Sequence, residues 1–360
     1  MAGPMSKKTN AGHFFEDFEL GMELVHAVPR TITAADQSLY IALTGDRSVL
    51  HSGASIARAV GLPREPLHEL LVFHMVFGKT VNDISLNAVA NLGYADVRFL
   101  APVYAGDTLR ATSTVIGVKE NSSGKTGVVW VRTVGSRMAL NASPTGDVPV
   151  LEYTRWVMVH KRDHAVPTGR KDVPDLPTVV APGRLSVPTQ LDFGRFPGWA
   201  SGGARFGDYE VGERIDHMDG MTIEESEHAL ATRLYQNTAK VHFDAHAMKD
   251  SRFGKRLMYG GHVISVCRAL SFNGLENAVL TLAFNGGTHA NPTFAGDTLY
   301  AYSEVLDAQP LPNRDDCGAL RVRLVGVKNQ NPAHEPLETM VEKDGKRRHH
   351  PNVVLDLDHW

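Results

Sequence analysis

Cysteine is nearly absent: Cys267 and Cys317 are the only two in 360 residues. They lie far apart and without metal-ligand spacing, which excludes a disulfide scaffold and a cysteine-based zinc centre and points to free thiols in a reducing compartment. Neither looks like a catalytic nucleophile. An excess of one charge is missing too, since 37 basic residues face 40 acidic ones for a net charge of -3. That balance argues against an electrostatic footprint for nucleic acid, and the one dense basic run, Lys346-Arg347-Arg348, reads as a solvated loop. Any anionic ligand must therefore meet a local cluster of cations. No uninterrupted apolar run reaches the roughly 18 residues that could span a bilayer, and the first residues lack a signal peptide's apolar segment. The expectation is a cytoplasmic protein without membrane association. At 42% hydrophobic and 21% charged residues the composition is that of an ordinary globular chain able to bury a sizeable core.

What is present is a repeat. Phe15, Asp17, Glu19, Gly21, Thr31, Ile32 and His51 recur in step as Phe206, Asp208, Glu210, Gly212, Thr222, Ile223 and His242, an offset of 191 residues with no gap. Pro102 with Ala105-Gly106-Asp107-Thr108-Leu109 returns as Pro292 with Ala295-Gly296-Asp297-Thr298-Leu299. A period this long is a duplicated domain rather than a solenoid. The Gly-Asp-Thr-Leu segments read as hairpin turns, because Gly supplies the turn dihedral and Asp bonds its own backbone.

Residues 163–203 are rich in proline and glycine and are expected to link a first domain, 1–162, to a second, 204–360. In the first copy, helical patterns run from about Ala34 to Leu43 and from Leu70 through Val81. Strand patterns follow at Ala95 to Val103, Thr108 to Ile116, Gly127 to Val134 and Val150 to Val159, as an antiparallel meander. The second copy repeats the order, with a helix from Gly260 to Ser271 and strands near Leu282 to Phe294, Thr298 to Val305, Ala319 to Val327 and Val353 to Leu357. One helix wrapped by a curved antiparallel sheet, twice over, is an α+β architecture.

Chemistry concentrates in two matching loops. The first, Thr44 to His51, sets Asp46 five residues before His51, a pair able to bind and deprotonate water. The second, Gln236 to Asp244, carries Asn237 in the Asp46 position and His242 in that of His51, and an amide cannot take the proton. The second copy compensates downstream, where Tyr259-Gly260-Gly261 opens a helix. Helix N-termini offer unpaired N–H groups, and glycines let a carbonyl approach them. We align Leu71 to Met75 with that segment in the first copy, where His74 would crowd such an approach.

These residues resemble the MaoC-like, hotdog-fold enoyl-CoA hydratases, whose loop reads Gly-Asp-x-Asn-Pro-Leu-His ahead of an Ala-His-Gly-Met helix start. Thr44 to His51 is similar to the first part of that motif, and His242-Phe243-Asp244, Phe253-Gly254 and Tyr259-Gly260-Gly261 to the rest. Over nearly the whole chain the pattern is most similar to the mesaconyl-CoA hydratase (β-methylmalyl-CoA dehydratase) branch, through runs such as Asp83-Ile84-Ser85-Leu86-Asn87 and Leu257 to Asn273. The resemblance implies a double hotdog, two tandem hotdog domains with one acyl-CoA between them, and reversible addition of water to an unsaturated thioester. It implies no metal or redox cofactor, with coenzyme A present only as part of the substrate.

Carried over residue by residue, the resemblance gives His242 as acid or base, Asn237 as water orienter and Gly260 as donor to the thioester oxygen. Asp46 and His51 form an alternative first-copy site, placed second because a thioester must be polarised wherever a proton is removed. Gly261, Lys240 and Arg256 are candidate substrate contacts, with Arg252 and Lys255 nearby, because coenzyme A phosphates and any extra carboxylate require cations. A hotdog thioesterase and a non-catalytic acyl-CoA-binding subunit remain the rival readings. Pairing of two chains into a homodimer stays open.

Overall fold

The computed structural model describes residues 8–139, 146–200 and 202–360, so parts of the expected first domain and residue 201 of the expected linker lie outside the described residues. In the first copy, β1 (Glu23–Thr31) leads to helix α1 (Ala34–Thr44), short turns α2 (Val49–Ser52) and α3 (Ala54–Ala59), and the central helix α4 (Glu69–Thr80). Strands β2 (Ala88–Phe99), β3 (Thr108–Glu120), β4 (Thr126–Arg137) and β5 (Val148–His160) follow, and β6 (Lys171–Asp172) is a two-residue appendage on β3. The second copy runs β7 (Arg214–Thr222), α5 (Glu225–Leu234), α6 (Lys240–Phe243), α7 (Gly260–Leu270), β8 (Ala283–His289), β9 (Thr298–Pro310), β10 (Gly318–Lys328), β11 (Met340–Lys343), β12 (Lys346–His349) and β13 (Val353–His359). No helix among the described residues is long and apolar enough to cross a membrane.

Local chemistry sets these boundaries. Thr33 caps α1 by accepting from the Asp36 amide while Asp36 reaches back to Thr33, and Gly45 ends the helix in the left-handed region at φ 69°. α4 is buried from Leu70 through Thr80, consistent with its nearly all-apolar sequence, and the sheet wraps it. Both copies keep the same buried polar pair: His26 to Ser113 at 2.7 Å and His217 to Ser303 at 2.8 Å. The central helices meet at equivalent positions, where His74 Nε2 and Ser265 Oγ lie 2.7 Å apart.

The strands form one antiparallel sheet in the order β1-β3-β4-β5-β2-β8-β13-β10-β9-β7. The halves join where Tyr94 pairs Gly287 and Val97 pairs Phe284. Several sequence expectations are corrected here. Only β3, β4 and β5 form a meander, because β2 returns to pair with β5. β2 begins earlier than expected and stops at Phe99, short of Pro102, and β8 stops at His289, short of Pro292. The Gly-Asp-Thr-Leu segments are tight turns, with Asp107 accepting from the Tyr104 amide and Asp297 from the Phe294 amide, both near 2.9 Å. They are not hairpins, since β2 does not pair β3 and β8 does not pair β9. Lys346-Arg347-Arg348 is exposed but lies in β12 of a small hairpin rather than in a loop.

The proline-rich segment is a strap with its own packing. Val180 donates its amide to Asn285 Oδ1 at 2.8 Å, and the Trp360 indole donates to the Val180 carbonyl. Leu191 is buried with Leu50, Val60 and Leu62 of the first copy and Val279 of the second.

Candidate active site

In the second copy, the loop after α5, α6 and the start of α7 converge on a cavity of about 320 Å³. His242, Asn237 and Gly260 all line it, together with Tyr94, Arg155, His289 and Arg252. The His242 ring is fixed through Nδ1, 2.8 Å from the Leu257 carbonyl. A carbonyl can only accept, so Nδ1 carries the proton and Nε2 of the neutral ring keeps its lone pair. Burial pushes the His242 imidazole down to about 4, against the opposing pull of that carbonyl, so the ring is neutral at physiological pH. Asn237 is buried, and its Oδ1 accepts the Ala239 amide at 3.2 Å to hold the loop closed before His242.

Gly260 and Gly261 are the first two residues of α7, where N–H groups have no intrahelical acceptor. Their backbones are ordinary, so space explains the glycines: a Cβ on Gly260 would sit 2.6 Å from the His289 ring, and one on Gly261 would sit 2.5 Å from that of Tyr259. His228 accepts the Tyr259 amide at 3.2 Å and so fixes the entry to α7. Burial holds His228 down at about 3 and His289 down at about 4.

The first copy preserves the scaffold and closes the site. His51 Nδ1 meets the Pro66 carbonyl at 3.2 Å, as His242 meets Leu257, and Gln37 accepts the His68 amide as His228 accepts that of Tyr259. These matched contacts show that Gly260 corresponds to Glu69, not to the Leu71–Met75 segment inferred from sequence. The Glu69 carboxylate ion-pairs with His51 Nε2 at 3.3 Å. Burial opposes charge on both, but each partner's field outweighs it, raising His51 and lowering Glu69. Asp46 stands 3.9 Å from His68 Nε2, so the acid of the family motif faces a different imidazole. His51, His68 and Glu69 each present one ligand atom within 4.8 Å of the others, the one such group of metal-ligating side chains among the described residues.

Of the remaining sequence candidates, Gly261, Lys240 and Arg256 do not line the cavity. Arg256 is engaged by Glu225 and the Phe243 carbonyl, and Lys240 is exposed. Arg252 reaches the lining from the exposed side, its guanidinium 4.3 Å above the Phe253 ring. Sequence reasoning passed over Arg155, Tyr94 and His289, which come from strands of both copies. An arginine flanked by the apolar residues Tyr153 and Trp156-Val157-Met158 of a strand was the one available signal.

A family model described as mesaconyl-CoA hydratase matches residues 5–339. The chain is 54% identical to the β-methylmalyl-CoA dehydratase of Chloroflexus aurantiacus, covering 99% of this chain and 98% of that one. It is 56% identical to the mesaconyl-CoA hydratase of Cereibacter sphaeroides, covering 98% of each. A crystal structure of a putative MaoC domain dehydratase from Chloroflexus aurantiacus superposes with a TM-score of 0.89 at 52% identity, over 98% of both chains. A Mycobacterium tuberculosis protein described as a double hotdog fold superposes with a TM-score of 0.75 over 97% of this chain and 98% of that one, at 22% identity. The architecture is thus a double hotdog, and the chain belongs to the mesaconyl-CoA hydratase family.

Proposed function

We propose that the protein reversibly hydrates mesaconyl-CoA to β-methylmalyl-CoA, using the second-copy site. The supporting observation is the convergence of a neutral imidazole and a glycine-led helix start on one cavity. In the hydration direction His242 Nε2 takes a proton from water as the oxygen bonds to the alkene carbon β to the thioester. The double-bond electrons move onto the thioester oxygen, where the Gly260 N–H and the N-terminal end of α7 stabilise the enolate. The protonated His242 then returns its proton to the α carbon, so that water is consumed and no other reactant is needed.

Asn237 in this scheme orients the water without exchanging a proton, which leaves both transfers to His242. Gly261 offers the second free N–H of the helix start. Lys240 and Arg256, flanking the His242 loop, serve the coenzyme A phosphates from outside the cavity.

The test follows the ultraviolet absorbance of the enoyl thioester alongside a thiol reagent. Wild type is expected to bleach the absorbance without releasing thiol; thiol release would mark a thioesterase, and neither signal a binding subunit. His242→Ala is expected to lose at least about a thousandfold in kcat, within the range of general acid–base contributions. Asp46→Asn should keep kcat within about threefold, because the first-copy site is occupied by its own Glu69; loss in that variant alone would move the chemistry to the first copy.

A further inference from the structure

Arg155 is 1% exposed and lines the same cavity as His242 and Gly260. Its Nη2 donates to two neutral hydroxyls, Thr80 Oγ1 at 2.9 Å and Ser85 Oγ at 3.0 Å, and its Nε has no hydrogen-bond partner. No carboxylate among the described residues forms an ion pair with it. The Phe77 ring lies 4.4 Å from the guanidinium carbon, and the hydroxyls of Tyr94, Tyr153 and Tyr259 are neutral neighbours. An unpaired buried cation is costly, and hydroxyl dipoles with one ring face compensate it only in part. Asn91, on the same wall, has both amide atoms buried and unpartnered.

The fold does not demand this cation. Tyr94 pairs Arg155 across the sheet, and the pseudo-symmetric pair in the second copy is Phe284 with His359. The arginine therefore belongs to one cavity rather than to the scaffold. From Gly260 the wall continues through His289, whose ring packs against it, to Tyr94 at 3.4 Å from His289 Nε2, and then to Arg155. The π-helical turn at Val81–Ser85 that ends α4 brings the Ser85 hydroxyl onto Arg155, a distortion of the kind that recurs at functional sites.

We propose that Arg155 is the specificity residue that binds the free carboxylate of a dicarboxylic enoyl thioester, with Asn91 beside it. This rests on the hydratase reading and deepens it. A methylfumaryl thioester has its activated carbonyl at one end of the double bond and a carboxylate at the other. Gly260 receives the first and Arg155 the second, with His242 alongside the bond. A guanidinium fork can take a carboxylate by two parallel hydrogen bonds, which neither Thr80 nor Ser85 provides. The exposed cations Lys240, Lys255 and Arg252 are solvated and offer no such desolvated contact.

The experiment compares two saturated thioesters, succinyl-CoA and butyryl-CoA, which cannot be hydrated, by titration calorimetry on wild type, Arg155→Gln and Arg155→Lys. Turnover of mesaconyl-CoA and (E)-2-methylcrotonyl-CoA, in which a methyl replaces the free carboxylate, is measured alongside. Arg155→Gln is expected to weaken succinyl-CoA about a hundredfold and butyryl-CoA less than threefold, and to lower kcat/KM about a hundredfold for mesaconyl-CoA alone. Arg155→Lys, which keeps the charge but not the fork, should lose about tenfold for the diacid only and decides the matter if the glutamine variant does not fold. Equal losses for both members of a pair, or no loss for the diacid, overturn the assignment. Absence of turnover in wild type would overturn the hydratase reading, and the succinyl-to-butyryl binding ratio would still decide Arg155.

Discussion

The side chain missing at position 260 and the proton missing from His242 Nε2 are the two residue-scale facts on which the chemistry turns. Since a Cβ there would stand 2.6 Å from the His289 ring, Gly260→Ala must displace either that imidazole or the first turn of α7. The N–H survives the substitution but not its aim, and loss of an aimed donor costs on the order of a hundredfold in kcat. Gly260→Ala is therefore expected to lower kcat by about that factor while the far-ultraviolet spectrum is unchanged; an undiminished kcat would remove the helix start from the mechanism. The His242 ring adds a pH prediction. A base whose pKa burial has pushed to about 4 stays competent wherever it is unprotonated. The acid limb of kcat/KM should then lie well below the ordinary histidine value of about 6.5, with a level profile from about pH 6 to 8.

At the scale of elements, α4 and α7 are the same helix put to different ends. α7 begins with Gly260 facing a cavity; α4, capped by His68, begins with Glu69 facing His51. Glu69→Gln removes the carboxylate that most favours charge on the buried His51 ring, and breaking such pairs costs on the order of 3 kcal/mol. The variant should show that loss in denaturant unfolding while hydration by the folded protein stays within about threefold of wild type. A matching loss of activity would mean that the two sites are coupled. The central helices and most strands were legible in the sequence, because capping residues and apolar periodicity are local signals. β1 and β7 were not, since each is an edge strand with few buried positions, two in β1 and one in β7. The equivalence of Glu69 with Gly260 was missed for another reason: neighbouring residues differ, and the register is fixed by matched contacts in the structure, the carbonyls held by His51 and His242 and the amides of His68 and Tyr259. Arg155 was out of reach because an unpaired charge in a strand becomes informative only when the opposite wall of its cavity, contributed from the other copy, is known.

At the scale of the molecule, duplication has buried many histidines in one continuous sheet and the helices packed against it. Burial holds His217, His242, His289 and His359 near 4 and His228 near 3. In the unfolded chain each returns to about 6.5, so between these values the unfolded state binds more protons than the native one. Their contribution to stability is fully present above about pH 6.5 and is lost as pH falls toward 4. His51 has the opposite sign: its raised pKa stabilises below about 6.5 and is lost as pH climbs through its folded value, but it is one group against eight, since burial also lowers His26, His68 and His74. The sum predicts a transition temperature that is level around pH 7 to 8 and declines progressively below about pH 6.5. Differential scanning fluorimetry from pH 8 to 4.5 checks this, and proton uptake on unfolding near pH 5, measured by calorimetry in buffers of different ionisation enthalpy, should amount to several protons per chain. A transition temperature unchanged down to pH 4.5 would mean that these imidazoles are already charged in the folded protein. That would also remove the neutral His242 on which the proposed hydration depends.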